Sequence, residues 1–311
     1  MSNNKLAART LELARFGETL ASPNPIVGAV IILNGNIVAE GFHRKYGEVH
    51  AEVNAVNQAL SKNIDLSKCD IYVSLEPCAH HGKTPPCSEL IIKHRFKSLA
   101  YVSRDPNEKV SGKGIEAIEK AGIKIHHPDS FDIKLQQEAL EMNRAFFKII
   151  QGKKQFITLK KAVDHDGKMF IEPGVWKTGE AARKQVHRIR STHQLIVTSI
   201  RTVIADNPQY DVRFSPEELG LADIRNPDIL ILKSKTDFTD QQRKALKIFD
   251  PKYNRKIIEH QIKDISDPVE LKIFIESLDY QKILVETGPR LSESFENAAM
   301  VDDLIIHSAS S

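Results

Sequence analysis

Two short segments constrain the fold of this chain more than any other feature. The first is His-Ala-Glu at 50–52, which opens an apolar pattern of helical period, and the second is a pair of Pro-Cys dipeptides that end at Cys78 and Cys87. Residues two apart on a regular helix do not share a face, so His50 and Glu52 can converge only where the helix starts. A histidine and two thiolates form a Cys₂His set that leaves the fourth position of a zinc ion open to water. The pattern predicts a catalytic zinc site with Glu52 beside the water.

The cysteines support a metal site rather than a disulfide scaffold. Three cysteines are an odd and small number, which argues against disulfide bonding. We expect Cys78 and Cys87 to lie at the start of a second helix, where free N–H groups and the helix dipole favour thiolates. Cys69 has no partner at ligand spacing and is predicted to be structural. A zinc-stabilised binding module would need a fourth protein ligand, and that alternative stays open because His80 and His81 are near.

Strand and helix patterns alternate through both halves of the chain. Asn34-Gly35 between two apolar runs predicts a hairpin, and the alternation predicts a three-layer α/β/α sandwich followed by a second α/β domain. The segment KIIQGKK at 148–154 indicates a boundary, so we predict domains at 1–148 and 149–311. The patterns further predict one long helix over 131–150, a polar loop over 201–213 and an irregular stretch from 233 to about 266.

Composition and charge exclude several classes of protein. The chain has 311 residues, 41% of them hydrophobic and 27% charged, which is enough to build two cores. With a net charge of +3 and no block of like charges, a nucleic-acid-binding arm is not expected. No apolar run approaches the roughly 18 residues of a membrane span, and the N-terminus lacks a signal-peptide core. We therefore expect a cytoplasmic protein with neither nucleic acid nor membrane as partner.

The first half also carries a family resemblance. The gap AHHGKTPP between Cys78 and Cys87, with PNPIVGAV at 23–30, GFHRKYGEVHAE at 41–52 and DPN at 105–107, resembles the bifunctional deaminase/reductase family of riboflavin biosynthesis. Its N-terminal domain belongs to the zinc-dependent cytidine-deaminase-like superfamily. The resemblance implies that His50, Cys78 and Cys87 bind Zn²⁺. It implies that zinc hydroxide deaminates 2,5-diamino-6-(5-phosphoribosylamino)pyrimidin-4-one, with Glu52 donating and accepting the proton. It also implies substrate contacts from Asn24, His43, His80, Lys83 and Thr84.

The second half resembles the reductase domain of the same family, which has a dihydrofolate-reductase-like fold. The matching segments are VDHDGKM at 163–169, RTVIADNPQYDVR at 201–213 and LVETGPRL at 284–291. The resemblance implies that a hydride from NADPH opens the ribosyl ring to a ribityl chain. The implied cofactor contacts are Ala162, Trp176, Thr202, Asp206, Ser234 and Gly288. The implied substrate contacts are Arg190, Tyr210, Arg213 and Glu286, of which the arginines suit a phosphate.

Departures from the family pattern keep alternatives open. Asp164 and Gly174 stand where the family usually has serines, and family members usually continue beyond VDDLIIHSASS. We therefore expect a C-terminal domain shortened at its end, and a deaminase with a degenerate reductase domain remains an alternative. A more distant one is a nucleic-acid base deaminase, although such proteins typically show a Pro-Cys-x₂-Cys pair and a markedly basic face. By resemblance we expect a homo-oligomer that acts on a small phosphorylated pyrimidine.

Overall fold

The computed structural model describes residues 1–79, 85–106, 112–164, 166–169 and 179–308. Its Cα positions group into two compact units. The first comprises Met1–Gly152 with Gly220–Asp223, and the second comprises Lys153–Leu219 with Ile224–Ser311. The boundary predicted after residue 148 lies four residues before this change of unit at Gly152. Among the described residues, no helix is both long and apolar enough to cross a lipid bilayer.

The first unit is built on a five-stranded sheet in the order β2-β1-β3-β4-β5. Its elements are α1 (Asn3–Phe16), β1 (Gly28–Leu33), β2 (Asn36–Phe42), α2 (Ala51–Ser61), β3 (Asp70–Val73), α3 (Cys87–Lys93), β4 (Ser98–Tyr101), α4 (Lys113–Lys120), β5 (Lys124–His126), α5 (Ile133–Met142) and α6 (Arg144–Ile150). Strand β1 runs antiparallel to β2 and β3, whereas β3, β4 and β5 are parallel. The predicted hairpin is confirmed, since Asn34 and Gly35 take φ values of 51° and 78° between β1 and β2, as a two-residue turn requires.

Both faces of this sheet are covered, which confirms the three-layer sandwich. Alternate residues of a strand point to opposite faces. Ala29, Ile31 and Ile71 pack with α2, α3 and α4 in one core cluster. Val30 and Ile32 pack with α1 and α5 in another. The carboxyl ends of the parallel strands β3 and β4 therefore lie between two helical layers.

The single helix predicted over 131–150 is wrong, because the structure has two helices there. Helix α5 ends at Met142 and α6 begins at Arg144. The residue between them, Asn143, has φ −105° and ψ 10°. Its side-chain amide accepts from the N–H of Ile26 at 2.8 Å and donates to the carbonyl of Ile26 at 3.0 Å. These bonds to a buried backbone segment offset the break in the helix.

The second unit is built on a six-stranded sheet in the order β11-β6-β10-β7-β8-β9, with every adjacent pair parallel. Its elements are β6 (Phe156–Val163), α7 (Glu180–Thr192), β7 (Leu195–Ser199), α8 (Ile200–Asp206), α9 (Pro216–Leu219), β8 (Asp228–Lys233), α10 (Asp240–Ala245), β9 (Ile257–Gln261), α11 (Pro268–Glu276), β10 (Lys282–Glu286), α12 (Pro289–Asn297) and β11 (Asp303–Ser308). Helices α11 and α12 pack on one face, whereas α8 and Ile189 of α7 pack on the other. The predicted α/β class is confirmed.

Two predicted loops of the second unit contain regular structure. The segment 201–213 begins with most of α8, whose N-cap Ser199 accepts from the N–H of Thr202. The stretch from 233 to 266 contains α10, which a Thr239–Gln242 capping box opens, and strand β9. Strand β9 reads IIEHQ and is only half-buried at the sheet edge. A short edge strand of this composition lacks the continuous apolar run that marks buried parallel strands.

Candidate functional site

Three predicted ligands meet in the first unit. Nδ1 of His50 lies 3.7 Å from the sulfur of Cys78 and 3.3 Å from the sulfur of Cys87. All three donor atoms lie within 4.8 Å of one another. With usual Zn–S and Zn–N bond lengths, a tetrahedral site places a sulfur about 3.6 Å from a ligating nitrogen. The donor set and its spacing therefore fit a zinc ion with one position open.

Two element starts bring these residues together. His50 is the N-cap of α2, with φ −71° and ψ 165°, so its side chain leaves the chain before the helical spiral begins. Cys87 is the first residue of α3, after the N-cap Pro86. The expectation that Cys78 also lies at a helix start is wrong, because it sits in the segment after β3. Its sulfur nevertheless reaches that helix start and accepts from the N–H of Cys87 at 3.3 Å.

The two thiols have opposite pKa shifts. The hydrogen bond from Cys87 lowers the pKa of Cys78 to about 4. The same bond, together with burial, raises the pKa of Cys87. The opposite shifts favour a thiolate on Cys78 that accepts from the Cys87 thiol. A divalent cation that binds both sulfurs would displace the proton that remains on Cys87, since metal ligation requires the deprotonated form.

Glu52 lies beside this cluster in the first turn of α2 and is 4% exposed. Burial raises the pKa of its carboxyl, and the Cys78 sulfur raises it further. A buried carboxyl with a raised pKa is suited to both accept and donate a proton. His50 and Glu52 are two apart in sequence, yet they face one centre because His50 precedes the spiral.

Asn24 and His43 form a hydrogen-bonded pair next to the cluster. Nδ1 of His43 lies 3.1 Å from the carbonyl oxygen of Val49 and must donate to it, because a carbonyl only accepts. Burial lowers the pKa of His43, so Nε2 carries no proton and accepts from the Asn24 amide at 3.1 Å. The His43 and His50 rings are 5.5 Å apart in an edge-to-face arrangement. Asn24 is thereby held with a defined amide orientation.

Four of the predicted cofactor contacts line one cavity of the second unit, with a volume of about 410 Å³. They are Thr202 and Asp206 of α8, Ser234 beyond β8, and Gly288 at the N-cap of α12. The N–H of Gly288 donates to Oγ1 of Thr202 at 3.1 Å. The cavity follows the carboxyl ends of β7, β8 and β10, where ligands bind in parallel sheets, and its size is typical of a ligand site.

Arg190 and Glu286 form a buried bidentate ion pair in the second unit. Nε and Nη2 of Arg190 lie 2.9 and 2.7 Å from the two carboxylate oxygens of Glu286. Nζ of Lys160 is 3.3 Å from one of these oxygens. Although burial alone would raise it, the charges of Arg190 and Lys160 lower the pKa of Glu286 to about 2. The carboxylate is thus held ionised at the carboxyl end of β10.

The remaining predicted substrate contacts surround this pair. The Tyr210 hydroxyl donates to the carbonyl of Glu286 at 3.0 Å and lies 2.8 Å from Oγ1 of Thr198. Arg213 and Arg190 line a second cavity of about 220 Å³, in company with Arg183 and His187. Three guanidinium groups around one small cavity suit an anionic ligand group.

Other predicted residues lie apart from these cavities or outside the described part. Ala162 lies in β6, opposite His307 of β11, and does not line the 410 Å³ cavity. Asp164 closes its own turn, since one carboxylate oxygen accepts from the N–H groups of Asp166 and Lys168, each at 2.9 Å. The predicted contacts outside the described residues are His80, Lys83, Thr84 and Trp176.

Several residues of these sites were not predicted from sequence. Lys160 contacts Glu286, and Arg201 and Arg290 line the 410 Å³ cavity. Both arginines follow the carboxyl end of a parallel strand, β7 or β10. That placement is a usable signal, because ligands of parallel sheets bind at this edge.

Comparisons with known proteins find matches to both halves of the chain. Residues 1–103 match the model of the cytidine and deoxycytidylate deaminase zinc-binding region. Residues 155–311 match the RibD C-terminal domain. The riboflavin biosynthesis protein RibD of Bacillus amyloliquefaciens is 45% identical over 206 residues, which are 65% of this chain and 53% of that protein. The matched part therefore spans about half the length of this relative.

Two further relatives are similar over nearly the whole chain. The riboflavin biosynthesis protein RibD of Aquifex aeolicus is 33% identical over 308 residues, which are 95% of this chain and 83% of that protein. A solved Thermotoga maritima structure, of a diaminohydroxyphosphoribosylaminopyrimidine deaminase/5-amino-6-(5-phosphoribosylamino)uracil reductase, is 31% identical with a TM-score of 0.80. That match covers 98% of this chain and 86% of the other. This chain belongs to the RibD family of riboflavin biosynthesis proteins.

Proposed function

We propose that this chain catalyses two successive reactions of riboflavin biosynthesis. The first unit would deaminate 2,5-diamino-6-(5-phosphoribosylamino)pyrimidin-4-one hydrolytically, and the second would reduce the ribosyl side chain to ribityl with NADPH. The observation that carries the proposal is the convergence of His50, Cys78 and Cys87 beside the buried Glu52. The two cavities of the second unit, one flanked by helix starts and one lined by arginines, support the reductase half.

Deamination replaces the C2–NH₂ bond of the pyrimidinone by a C2–O bond and releases ammonia. His50, Cys78 and Cys87 would hold the zinc, which when bound polarises water and lowers its pKa toward neutrality. Glu52 would take the proton from the attacking water and return it to the leaving amine, which its raised pKa allows. Asn24, oriented by His43, would hydrogen-bond the pyrimidine ring, with His80, Lys83 and Thr84 as proposed further contacts.

Reduction adds a hydride to the ribosyl carbon C1′ and breaks the bond between C1′ and the ring oxygen. That oxygen then takes up a proton. NADPH, when bound, supplies the hydride. Thr202, Asp206, Ser234 and Gly288 would hold the cofactor in the 410 Å³ cavity, with Ala162 and Trp176 as proposed contacts near the nicotinamide. Arg190, Tyr210, Arg213 and Glu286 would hold the phosphorylated substrate.

A coupled assay on one preparation of the full chain tests the proposal. The diamino substrate should release ammonia without NADPH, and the deaminated product should then consume NADPH, measured as loss of nicotinamide absorbance. Ammonia release without NADPH consumption would support the alternative of a deaminase with a degenerate reductase domain, to which Asp164 and Gly174 point. A salt-sensitive RNA shift in place of both reactions would support a nucleic-acid base deaminase.

The partners follow from the same proposal. The substrate is a small phosphorylated pyrimidine, and NADPH and Zn²⁺ are the cofactors. We expect a homo-oligomer, which sedimentation of the purified chain would test. A zinc-binding module without activity is the remaining alternative, and the Glu52 variant described below separates it from an enzyme.

A further inference from the structure

His307 lies on the face of the second sheet that carries the buried ion pair. In β11, Asp303, Ile305 and His307 are the less exposed positions, whereas Leu304 and Ile306 face outward. The register pairs Ile305 with Lys160 and His307 with Ala162. Lys160 is paired in turn with Glu286 of β10. Because side chains of directly paired residues share a face, His307, Lys160 and Glu286 point to the same side.

The imidazole of His307 is buried. The residue is 7% exposed, and its buried Nε2 has no hydrogen-bond partner among the residues that the structure describes. Such an atom costs free energy when it is removed from water without a partner. Burial also lowers the pKa of this histidine, so the ring is neutral at physiological pH. A neutral imidazole suits a hydroxyl group, which can both donate and accept.

The position of His307 in the sheet separates it from the proposed cofactor cavity. That cavity follows the carboxyl ends of β8, β7 and β10. Lys160 and His307 occupy the carboxyl halves of β6 and β11, on the other side of β10. A hydride donor bound in the cavity and a substrate bound over β10 and β6 would therefore lie at the same edge of the sheet.

We infer that His307 is a substrate-positioning residue of the reductase site, which hydrogen-bonds through Nε2 a hydroxyl of the pentose chain of the phosphorylated pyrimidine. The inference rests on the proposed reductase function. It adds a contact from β11 to those proposed from α7, β10 and the segment after α8. The bound hydroxyl replaces the water that Nε2 loses on burial.

Binding to the full chain without turnover tests the inference. The probe is the ribityl product, titrated calorimetrically without NADPH so that no reaction occurs. We expect His307→Leu and His307→Phe to raise the Kd of this probe about tenfold, as for loss of one hydrogen bond. His307→Gln places an amide near the position of Nε2 and should keep the Kd within about threefold. The Kd of NADPH, measured separately, should be unchanged in all three variants.

Stability separates positioning from a structural role. Because Nε2 has no hydrogen-bond partner among the described residues, His307→Phe should leave the melting temperature unchanged or raise it. Ile306→Thr, on the outward side of the same strand and 53% exposed, is the matched control and should bind like the wild type. Equal probe affinity in His307→Leu and wild type would overturn the inference, while leaving the reductase function intact. Wild-type chain that neither binds the probe nor oxidises NADPH would overturn both.

Discussion

The backbone N–H of Cys87 donates to the sulfur of Cys78 at 3.3 Å. The Cys78 sulfur thus satisfies an N–H at the start of α3. Cys87, a second candidate ligand, is the first residue of that helix. Free N–H groups at helix starts stabilise negative charge, and Cys78 has the lower pKa of the pair. Metal binding and the start of α3 are therefore linked through a single sulfur.

Loss of one of the three candidate ligands should remove the metal. Cys87→Ser and His50→Ala should each reduce bound zinc from about one ion per chain to well below that, because a structured site loses much of its affinity with one ligand. Elemental analysis after dialysis checks this. Cys69→Ser is the matched control, since Cys69 is buried outside the cluster, and it should keep its zinc. Equal zinc in all variants would place the ion elsewhere.

Glu52→Gln should abolish deamination while the chain stays folded and zinc-loaded. The amide keeps the size of the side chain but cannot move a proton, so we expect kcat to fall by about 10² to 10⁴. Ammonia release measures this step, and NADPH oxidation with the deaminated intermediate should be unchanged. Glu48→Gln, an exposed carboxylate just before His50, is the control and should behave like the wild type. Normal ammonia release by Glu52→Gln would remove this residue from the mechanism.

Breaking the Arg190–Glu286 pair should destabilise the second unit. Arg190→Met leaves the Glu286 carboxylate buried beside Lys160 alone, at a cost of about 3–5 kcal/mol. Denaturant unfolding followed by circular dichroism, compared between variant and wild type, measures this cost. The double variant with Glu286→Leu should cost less than the sum of the single variants. Additive effects would show that the two groups are not coupled.

Arg213→Met is the control for that measurement. Its side chain is 53% exposed and lies 3.3 Å from Asp211. Asp211 is buried, but the Arg213 side chain is largely hydrated, so we expect a loss of stability smaller than that caused by Arg190→Met. The KM for the phosphorylated substrate should rise, because the arginine lines the 220 Å³ cavity.

The stability of the second unit should fall as the pH drops below about 6.5, the unfolded pKa of histidine. Burial lowers the pKa of His193 to about 3 and that of His187 to about 4. Both rings are neutral in the folded chain and bind protons on unfolding, so stability is present above pH 6.5 and is lost toward the folded values.

Each ring contributes a slope of up to about 1.4 kcal/mol per pH unit. His193→Gln should therefore reduce the slope of the unfolding free energy between pH 6.5 and 5 by up to this amount. The remaining slope belongs to His187 and to His260 and His307, whose pKa values are also lowered. An unchanged slope would mean that His193 has the same pKa in the folded and unfolded states. That result would contradict the hydrogen bonds of its ring nitrogens to Ile189 and Thr158.

Local structure could be predicted where a short segment of sequence determines it. His50 precedes an apolar helical pattern, and the Asn34-Gly35 turn fits only a tight hairpin, so both local structures follow from short segments. Alternating strand and helix patterns predicted two α/β units for the same reason. The zinc ion and the roles of individual site residues stay predictions.

What could not be predicted depends on partners remote in sequence. The break at Asn143 is stabilised by the backbone of Ile26, more than a hundred residues away. Lys160 gains a role only because β6 pairs with β10 and brings it to Glu286. Strand β9 lies at an edge and lacks an apolar run, so its register against β8 decides its structure. None of these pairings leaves a local pattern.

Zinc content measured with ammonia release tests the central claim most directly. The metal is removed from the purified full chain with a chelator, and Zn²⁺ is then added back in steps while ammonia release from the diamino substrate is followed. We predict no activity in the metal-free chain and full recovery at one zinc per chain. Full deamination by chain that contains no zinc would contradict the account.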